Sequence, residues 1–556
     1  MRDNGRAWAA LWVVVILITA FGLSLYYGLH PLWDDEAMYA EVPREMLAGG
    51  GLLYPTLNYA PFLFKPPLFI WANALSMHIL GDGALAYRLP TALFAGLTAL
   101  FAYGIGARTS RTAGIYAGFA CATLYGIVFH NAEMLTDMPL MFFTTASMYF
   151  FLNTADGRRY GAVLVYACLA LAVMTKGLIG LVFPGIAFAA FIVSAGRYDI
   201  LKKLASLPGA LMFICITVPW HVLMELKHPG FLYSFVVNEQ VMRFFNKRFP
   251  PDYDSVSTPW FILVTLGWTM PWLAFLFQSL ARAWRRRADD TLRLALCWAL
   301  GGMVFLGLAS SKMEYYSLPL LPAFSALIGL WWAGLGEEGG KGVRGAVVGA
   351  ASLGVFSLLV ILAGPYMFGR LGGLLEFAGT DAAGLSGMAL KTFLPLTAGS
   401  VGAAALFYYR RHTWAFALFT LSALAMLVQA RAAVALVTPA YSDEDAAIYA
   451  ASVMAPSDTL VVDGDREYEF SATFNFYAHK KLYILSNGGQ PVLPVKFSEA
   501  DRFVMTDPEF RALWGSGARV YLSTTRRPDM GGVAGVPGES FRQVFKGSKT
   551  VYVNVR

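Results

Sequence analysis

The stretch AWAALWVVVILITAFGLSLYYGLH (7–30), followed directly by PLWDDEAMYAEVPREM (31–46), decides the class of fold. The first part is an apolar run of 24 residues, and a helix needs about 20 to cross a bilayer. Similar runs recur along the whole chain, which is 57% apolar and 14% charged. Because the mean hydropathy of +0.53 is also far above the soluble range, the sequence predicts a polytopic α-helical membrane protein. The second part gathers six ionisable side chains, namely Asp34, Asp35, Glu36, Glu41, Arg44 and Glu45.

Thirteen segments satisfy the length criterion for membrane spans, although several are short. They lie near 8–29, 86–106, 111–128, 138–154, 160–175, 177–195, 205–224, 259–280, 292–309, 316–334, 344–364, 388–408 and 414–436. The apolar run at 66–80 begins with two prolines, and we expect it to lie along the membrane surface. With that choice the basic loop residues, from Arg2 to Arg411, collect on one face, which predicts a cytoplasmic N-terminus and an outer C-terminus. The first span is expected to be an uncleaved anchor, because no signal-peptidase-like site follows it.

The composition changes near position 439, where short β-like runs begin to alternate with helix-like stretches. The β-like runs are 459–464, 481–486, 519–525 and 549–556. The sequence therefore predicts a transmembrane domain at 1–438 and a soluble α/β domain at 439–556 on the outer face. Within the transmembrane domain, the first outer loop covers 30–85 and a second large outer loop covers 225–258.

Ionisable residues gather at the outer ends of the predicted spans and are scarce in their middles. The cations are Arg44, Lys65, Arg88, Lys176, Arg243, Lys247, Arg248 and Lys312, and the carboxylates are Asp34, Asp35, Glu36, Glu41, Glu133 and Asp137. An ion-coupled transporter would be expected to bury carboxylates near the midplane instead. Cations beside tyrosines at the interface suit a phosphate whose lipid tail stays in the bilayer, and carboxylates suit a general base or sugar hydroxyls. This arrangement favours transfer of a group from a lipid phosphate.

An ordered series of short motifs carries a resemblance to a known family. The motifs are DEAMYAE (35–41), KPPL (65–68), TDMPL (136–140), TKG (175–177), RFFN (243–246) and SSKMEYYSLPLLP (310–322). Together they resemble the polyprenyl-phosphate-sugar glycosyltransferases, and among these the aminoarabinose transferases that modify lipid A. The wider superfamily also contains the protein O-mannosyltransferases. The resemblance implies a GT-C fold with about 13 transmembrane helices, juxtamembrane helices in the first outer loop and a small periplasmic α/β domain.

The resemblance also assigns roles to residues at matching positions. The catalytic carboxylates would be Asp35, Glu36 and Asp137. The residues that bind the lipid phosphate would be Lys65, Arg243, Tyr316 and Lys312. Substrate contacts are possible for Glu41, Arg44, Arg88 and Lys176, although Glu41, Arg44 and Glu45 would equally suit an ionic face that stabilises the loop helix. Lys65 precedes two prolines that restrict its backbone and would fix its position.

The implied reaction moves 4-amino-4-deoxy-L-arabinose, or a related sugar, from an undecaprenyl-phosphate donor to lipid A, with inversion. It would take place on the periplasmic face of a bacterial inner membrane. No cofactor or metal site is predicted, although a divalent metal near the acidic residues of the first loop stays open. His130 and His221 could bind a metal with Glu133 or Glu225, but interface histidines are the favoured interpretation. A nucleic-acid partner is not expected, and the protein is expected to be a monomer.

Two positions depart from the pattern of the aminoarabinose transferases. Phe64 stands where an acidic residue tends to precede the KPP lysine, and Met38 stands where an arginine tends to follow DEA. These departures keep a second hypothesis open, in which the same class of enzyme glycosylates protein or cell-envelope glycan hydroxyls. A lipid or sugar transporter without catalysis is the third alternative.

Overall fold

The computed structural model describes residues 2–28, 32–249, 255–337, 339–370, 381–464, 472–486 and 502–555. The side chains of some residues within helices, Asp34 and Asp35 among them, lie outside the described set. Helices account for most of the described backbone, and one mixed sheet lies near the C-terminus. The predicted fold class, a polytopic helical membrane protein with a small C-terminal sheet domain, is confirmed.

Most of the helices lie within the first 441 residues. They are α1 (Arg2–Gly28), α2 (Asp34–Glu45), α3 (Leu68–Leu80), α4 (Ala84–Ala107), α5 (Arg111–Ala122), α6 (Tyr125–Ala132), α7 (Asp137–Ala155), α8 (Gly161–Lys176), α9 (Ile179–Ala195), α10 (Asp199–Leu204), α11 (Leu207–Lys227), α12 (Thr258–Trp268), α13 (Leu273–Arg285), α14 (Asp290–Leu308), α15 (Leu321–Ala333), α16 (Gly339–Phe368), α17 (Ala382–Tyr408) and α18 (His412–Tyr441). A π-helical segment, Tyr233–Met242, follows α11, and a 3₁₀ segment, Glu314–Leu320, precedes α15. Several helices begin at a serine or aspartate N-cap that accepts a backbone N–H, as at Ser110, Ser206 and Asp289.

The described residues contain 8 helices long and apolar enough to cross a membrane, or up to 10 when each bent pair counts as one span. The bent pairs are α5 with α6, at 48°, and α12 with α13, at 101°. Each of the thirteen predicted segments coincides with a described helix or a bent pair, because the shorter or less apolar α7, α8 and α9 supply the remainder. The count of thirteen membrane crossings itself stays a prediction.

The predicted first outer loop forms a small layer over the ends of the membrane helices. It consists of α2, a short hairpin with strands β1 (Thr56–Leu57) and β2 (Ala60–Pro61), and α3. Helix α3 has 13 residues, so it is about 20 Å long at 1.5 Å per residue and too short for a hydrocarbon core of about 30 Å. This length agrees with the prediction that the run at 66–80 does not span.

The C-terminal region holds a six-stranded sheet in the order β5-β4-β3-β6-β8-β7. Its strands are β3 (Thr459–Gly464), β4 (Tyr483–Ser486), β5 (Val504–Met505), β6 (Val520–Thr524), β7 (Phe541–Lys546) and β8 (Thr550–Asn554), and its helices are α19 (Glu444–Val453), α20 (Ala472–Ala478), α21 (Asp507–Trp514) and α22 (Pro528–Gly531). The first four strands in this order are parallel, whereas β8 and β7 are antiparallel. The predicted strands at 459–464, 481–486, 519–525 and 549–556 therefore correspond to β3, β4, β6 and β8.

The sheet domain packs directly on the first-loop layer. Buried side chains of α2, the hairpin and α3 share one hydrophobic cluster with residues of β3, β4 and α20. In addition, Asn58 of the hairpin donates to the carbonyl of Leu482 at 2.9 Å and accepts from Asn475 at 2.7 Å. The first loop therefore lies between the membrane helices and the C-terminal domain. This packing keeps the polar residues of the loop near the ends of the membrane helices.

Candidate functional site

A cavity of about 690 Å³ lies beneath the first loop, at the ends of α7, α8 and α14. Its polar lining combines side chains from five separate segments: Lys65, Asp137, Lys176, Glu239, Gln240, Arg243, Ser311 and Tyr316. Its apolar lining is Leu140, Ile179, Phe183, Phe244, Phe305, Leu306, Ala309 and Pro319. Three cations and two carboxylates thus face one space that is otherwise lined by hydrocarbon. Such a wall suits an anion attached to an apolar chain.

Asp137 and Lys176 form the ion pair at the base of this cavity. The Lys176 Nζ atom donates to both carboxylate oxygens of Asp137 at 2.6 Å, and their side chains are only 13% and 3% exposed. Asp137 begins α7 and Lys176 ends α8, so each lies at the helix end that favours its charge. Gly177 follows with φ of +90°, and a Cβ there would lie 2.9 Å from the Gln240 side chain. The glycine of the TKG motif therefore permits both the turn and the close approach of the second loop.

Glu239 lies between two arginines in the lining of the same cavity. Its Oε1 atom is 2.6 Å from Nε of Arg248, and its Oε2 atom is 3.3 Å from Nη1 of Arg243. Glu239 and Arg248 are nearly fully buried, whereas the Arg243 side chain retains 16% exposure and lines the cavity. Glu239 belongs to the π-helical segment and Arg243 directly follows it, and such segments are frequent at functional sites.

Lys65 enters the cavity from the loop between β2 and α3. Within the described part of the chain, its ammonium group has no hydrogen-bond or ion-pair partner. Burial lowers its pKa to about 8, and the positive charge of Arg243 acts in the same direction. A cation held without a partner beside other cations is ready to bind an anion.

Tyr316 lines the cavity beside Lys176. The Lys176 ammonium lies 4.3 Å from the centroid of the Tyr316 ring and 5.4 Å from that of Tyr315, so both rings contact this cation. Lys312 is placed differently. It is 3% exposed, does not line the cavity, and donates to the carbonyls of Ala309 and Gly307 at the end of α14. It therefore caps a helix C-terminus, where a cation is favourable.

The structure places Glu36 in a buried ion pair with Arg88. The two distances are 2.6 and 3.1 Å, and both side chains are almost inaccessible. Glu36 also accepts from the backbone N–H groups of Trp33 and Met134. All these contacts tie the start of α2 to α4 and to the segment just before Asp137, which indicates a positioning role for both residues. The side chain of Asp35 lies outside the described residues, and its backbone belongs to the first turn of α2.

Glu41 and Arg44 form a bidentate pair within α2, at 2.6 and 2.7 Å, away from the cavity. Glu45 accepts from the Thr56 hydroxyl and the Tyr59 N–H, and so binds the hairpin. This agrees with the interpretation of these three residues as an ionic face that stabilises the loop.

Comparison with known proteins shows similarity in both sequence and fold. Residues 64–222 match the family model of the dolichyl-phosphate-mannose-protein mannosyltransferases. The undecaprenyl phosphate-alpha-4-amino-4-deoxy-L-arabinose arabinosyl transferase of Erwinia tasmaniensis is 26% identical over 365 residues, which cover 62% of this chain and 64% of that protein. Its counterpart in Serratia proteamaculans is 28% identical over 64% of this chain and 65% of that protein. The match thus spans slightly less than two thirds of each relative.

A solved structure, that of ArnT from Cupriavidus metallidurans bound to undecaprenyl phosphate, superposes with a TM-score of 0.79. It is 22% identical and the match covers 99% of this chain and 98% of that one. The chain has the GT-C fold, and its sequence is similar to the aminoarabinose transferases. In this GT-C protein the five residues Lys65, Asp137, Lys176, Arg243 and Tyr316, predicted from separate motifs, line one cavity.

Three polar residues of the GT-C cavity were not among the sequence predictions. They are Glu239, Gln240 and Ser311. Glu239 stands four residues before Arg243, and this spacing in a helical segment is a recognisable signal for an ion pair. Ser311 belongs to the motif at 310–322, although no role was assigned to it, whereas Gln240 carries no comparable signal.

The described residues do not support the alternative of a histidine-based metal site. There, no three His, Cys, Asp or Glu side chains converge as metal ligands. His221 Nδ1 bonds to the carbonyl of Thr217, and Glu225 accepts from the N–H groups of Gly230 and Leu232. His130 instead pairs with Glu133.

Proposed function

We propose that this chain is a glycosyltransferase that moves a sugar from an undecaprenyl-phosphate donor to an acceptor at the membrane surface. The observation that carries the proposal is a cavity lined by three cations and by apolar side chains, within a GT-C fold. The cations Lys65, Lys176 and Arg243 suit the phosphate, and Phe183, Phe244 and the other apolar residues suit the first part of the lipid chain. The names of the relatives support an undecaprenyl-phosphate donor.

In the proposed reaction, the acceptor oxygen attacks the anomeric carbon as the bond from that carbon to the phosphate oxygen breaks. The electron pair of the broken bond stays on the phosphate, which leaves as polyprenyl phosphate, and the anomeric configuration inverts. Lys65, Arg243 and Tyr316 would bind the leaving phosphate, and Asp137 would orient the Lys176 ammonium. Charge-assisted hydrogen bonds to a group that gains charge stabilise the transition state more than the ground state.

The proposed acceptor is lipid A and the proposed sugar is 4-amino-4-deoxy-L-arabinose or a close relative. We place the site on the periplasmic face of a bacterial inner membrane, with the N-terminus in the cytoplasm. The acceptor determines the role of Asp35. An ionised phosphate of lipid A needs no deprotonation, so Asp35 would orient the substrate, whereas a hydroxyl acceptor would need Asp35 as a base.

A second candidate, transfer to a protein or glycan hydroxyl, is favoured by the two positions that depart from the aminoarabinose pattern. Phe64 is 6% exposed and packs against Phe62 with ring centroids 5.7 Å apart. Met38 is 9% exposed and packs in the cluster between the first loop and the sheet domain. Apolar packing at both positions removes a carboxylate and a cation that could recognise an amino sugar.

Incubation of the purified protein with a panel of polyprenyl-phosphate sugars tests the proposal. Each reaction receives lipid A, a peptide or a glycan as acceptor, and release of free polyprenyl phosphate is measured. We expect release that requires an acceptor and falls strongly in Lys65→Met but not in Lys247→Met, which changes an exposed lysine of the same face. Absence of release from every donor with every acceptor would refute the enzyme hypothesis and leave the transporter alternative.

A further inference from the structure

Buried polar atoms without partners mark a second polar site beside the phosphate cavity. His130 and Asn131, in the last turn of α6, are 3% and 1% exposed. Over the described ranges, His130 Nε2, both amide atoms of Asn131 and Trp268 Nε1 are buried without a hydrogen-bond partner. Because burying such atoms unpaired is unfavourable, they indicate a polar ligand at this place.

The two rings offer complementary hydrogen-bond chemistry. The Nδ1 atom of His130 lies 2.6 Å from Oε2 of Glu133, and an ionised carboxylate only accepts, so Nδ1 carries the hydrogen. In the neutral ring, Nε2 is then an acceptor, while the indole N–H of Trp268 is only a donor. The His130 and Trp268 rings lie 4.5 Å apart between centroids. A hydroxyl group both donates and accepts, so its hydrogen-bond chemistry is complementary to these two atoms.

His130 and Trp268 lie between the aromatic residues beside Lys176 and the start of α2. The His130 ring is 6.2 Å from that of Tyr315, whose centroid is 5.4 Å from the Lys176 ammonium. On the other side, the neighbouring Phe129 ring lies 6.1 Å from that of Trp33, the residue just before α2. In a polyprenyl-phosphate sugar the ring is bonded directly to the phosphate. The Tyr315 ring thus links the Lys176 ammonium to the His130 ring, and a sugar whose phosphate contacts Lys176 would have to extend past Tyr315 to reach His130.

We propose that His130 and Trp268 bind a hydroxyl of the donor sugar and so determine which sugar the protein accepts. This inference rests on the proposed function. Glu133 acts through His130, since it keeps the ring in the tautomer that leaves Nε2 free to accept.

A coupling experiment between variants and donors tests this site. The wild type, Trp268→Phe and His130→Gln are each assayed for kcat/KM with a parent polyprenyl-phosphate pentose and with donors that each lack one ring hydroxyl. Trp268→Phe keeps a ring and removes only the N–H group and the outer part of the indole. We expect both variants to lower kcat/KM about tenfold with the parent donor, and to have no further effect with the one deoxy donor that lacks the bound hydroxyl.

A binding measurement separates this site from the phosphate cavity. The affinity for undecaprenyl phosphate, which carries no sugar, is expected to stay within about twofold of wild type in Trp268→Phe and His130→Gln. His78→Gln, at an exposed histidine of α3, is the matched control for both assays. Thermal unfolding of each variant verifies that it is folded.

Three outcomes would contradict the inference in different ways. Equal losses with all donors, including every deoxy donor, would mean that the pair binds a structural water only. Loss of undecaprenyl phosphate binding in folded variants would place the pair in the phosphate cavity instead. Failure of the wild type to release sugar from any donor would refute the proposed function itself, and the sugar site with it.

Discussion

Replacement of Lys65 by methionine isolates the binding role of the one cavity cation that has no partner in the described structure. Lys176 is paired with Asp137 and Arg243 with Glu239, so loss of either would also disturb the fold. A hydrogen bond from a charged donor contributes about 1.5–3 kcal/mol, which corresponds to a change of roughly 10- to 150-fold in a dissociation constant. We therefore expect Lys65→Met to weaken undecaprenyl phosphate binding by roughly 10- to 150-fold.

The same substitution is expected to stabilise the ligand-free protein. Burial and neighbouring cations lower the pKa of Lys65 from 10.5 to about 8, which corresponds to roughly 3 kcal/mol at about 1.4 kcal/mol per pKa unit. At pH 7 Lys65 is charged in both the folded and the unfolded protein. The figure is therefore an upper bound on the free energy of unfolding that replacement by the neutral methionine restores. The sign follows because a lowered lysine pKa disfavours folding below pH 8, and that cost disappears as the pH rises toward 10.5.

The assay compares binding and unfolding on the same detergent-solubilised samples. Affinity is measured by titration with undecaprenyl phosphate, and stability by thermal unfolding without ligand, for wild type, Lys65→Met, Lys65→Arg and the exposed-lysine control Lys247→Met. Weak binding combined with an unchanged or raised unfolding temperature is expected for Lys65→Met alone. Binding within about twofold of wild type, or a lower unfolding temperature that parallels the loss of binding, would refute the assignment of Lys65 as an unpaired phosphate ligand.

Four further predictions follow from the same geometry. Affinity for undecaprenyl phosphate should fall as the pH rises through about 8 in the wild type, and not in Lys65→Arg, whose guanidinium stays charged; binding titrations between pH 6 and pH 10 measure this. Lys176→Met should destabilise the protein by about 3–5 kcal/mol because Asp137 stays buried and unpaired, and adding Asp137→Asn should recover most of the unfolding temperature. Lys312→Met should lower the unfolding temperature slightly, by loss of a helix cap, without weakening undecaprenyl phosphate binding in titrations. Asp35→Asn should reduce the transfer rate far more with a hydroxyl acceptor than with a phosphate acceptor, as measured by the release of polyprenyl phosphate from one donor.

Part of the composition of the cavity could be predicted from sequence because several of its polar residues lie near the ends of apolar segments. Asp137 begins α7, Lys176 ends α8, and Tyr316 lies in the 3₁₀ segment between α14 and α15. Once the spans are assigned, hydropathy alone brings such ends to one membrane surface. The motifs then indicate which of the many polar residues at that surface act together. Five residues predicted from these motifs, Lys65, Asp137, Lys176, Arg243 and Tyr316, line the cavity.

The partners of the charged residues could not be predicted in the same way. Glu36 and Arg88 are 52 residues apart, and their burial depends on how α2 packs on α4. Sequence reasoning gave Glu36 a catalytic role through its motif, whereas its four hydrogen bonds in the structure are typical of a positioning residue. Lys312 shows the same limitation, because a lysine at a span end suits phosphate binding and helix capping equally well. Only the tertiary structure distinguishes the two.

The net positive charge of the cavity bears on which step of the proposed reaction is slowest. A polyprenyl-phosphate sugar is a phosphodiester with one negative charge, and departure of the sugar gives a monoester that carries up to two. Lys65, Lys176 and Arg243 share the cavity with Asp137 and Glu239, and Arg248 also pairs with Glu239 and neutralises much of its charge. The excess of cations is therefore better matched to the charge that develops on the leaving phosphate than to that of the intact donor. The same excess should retain the product, so release of polyprenyl phosphate, rather than transfer of the sugar, is expected to limit turnover.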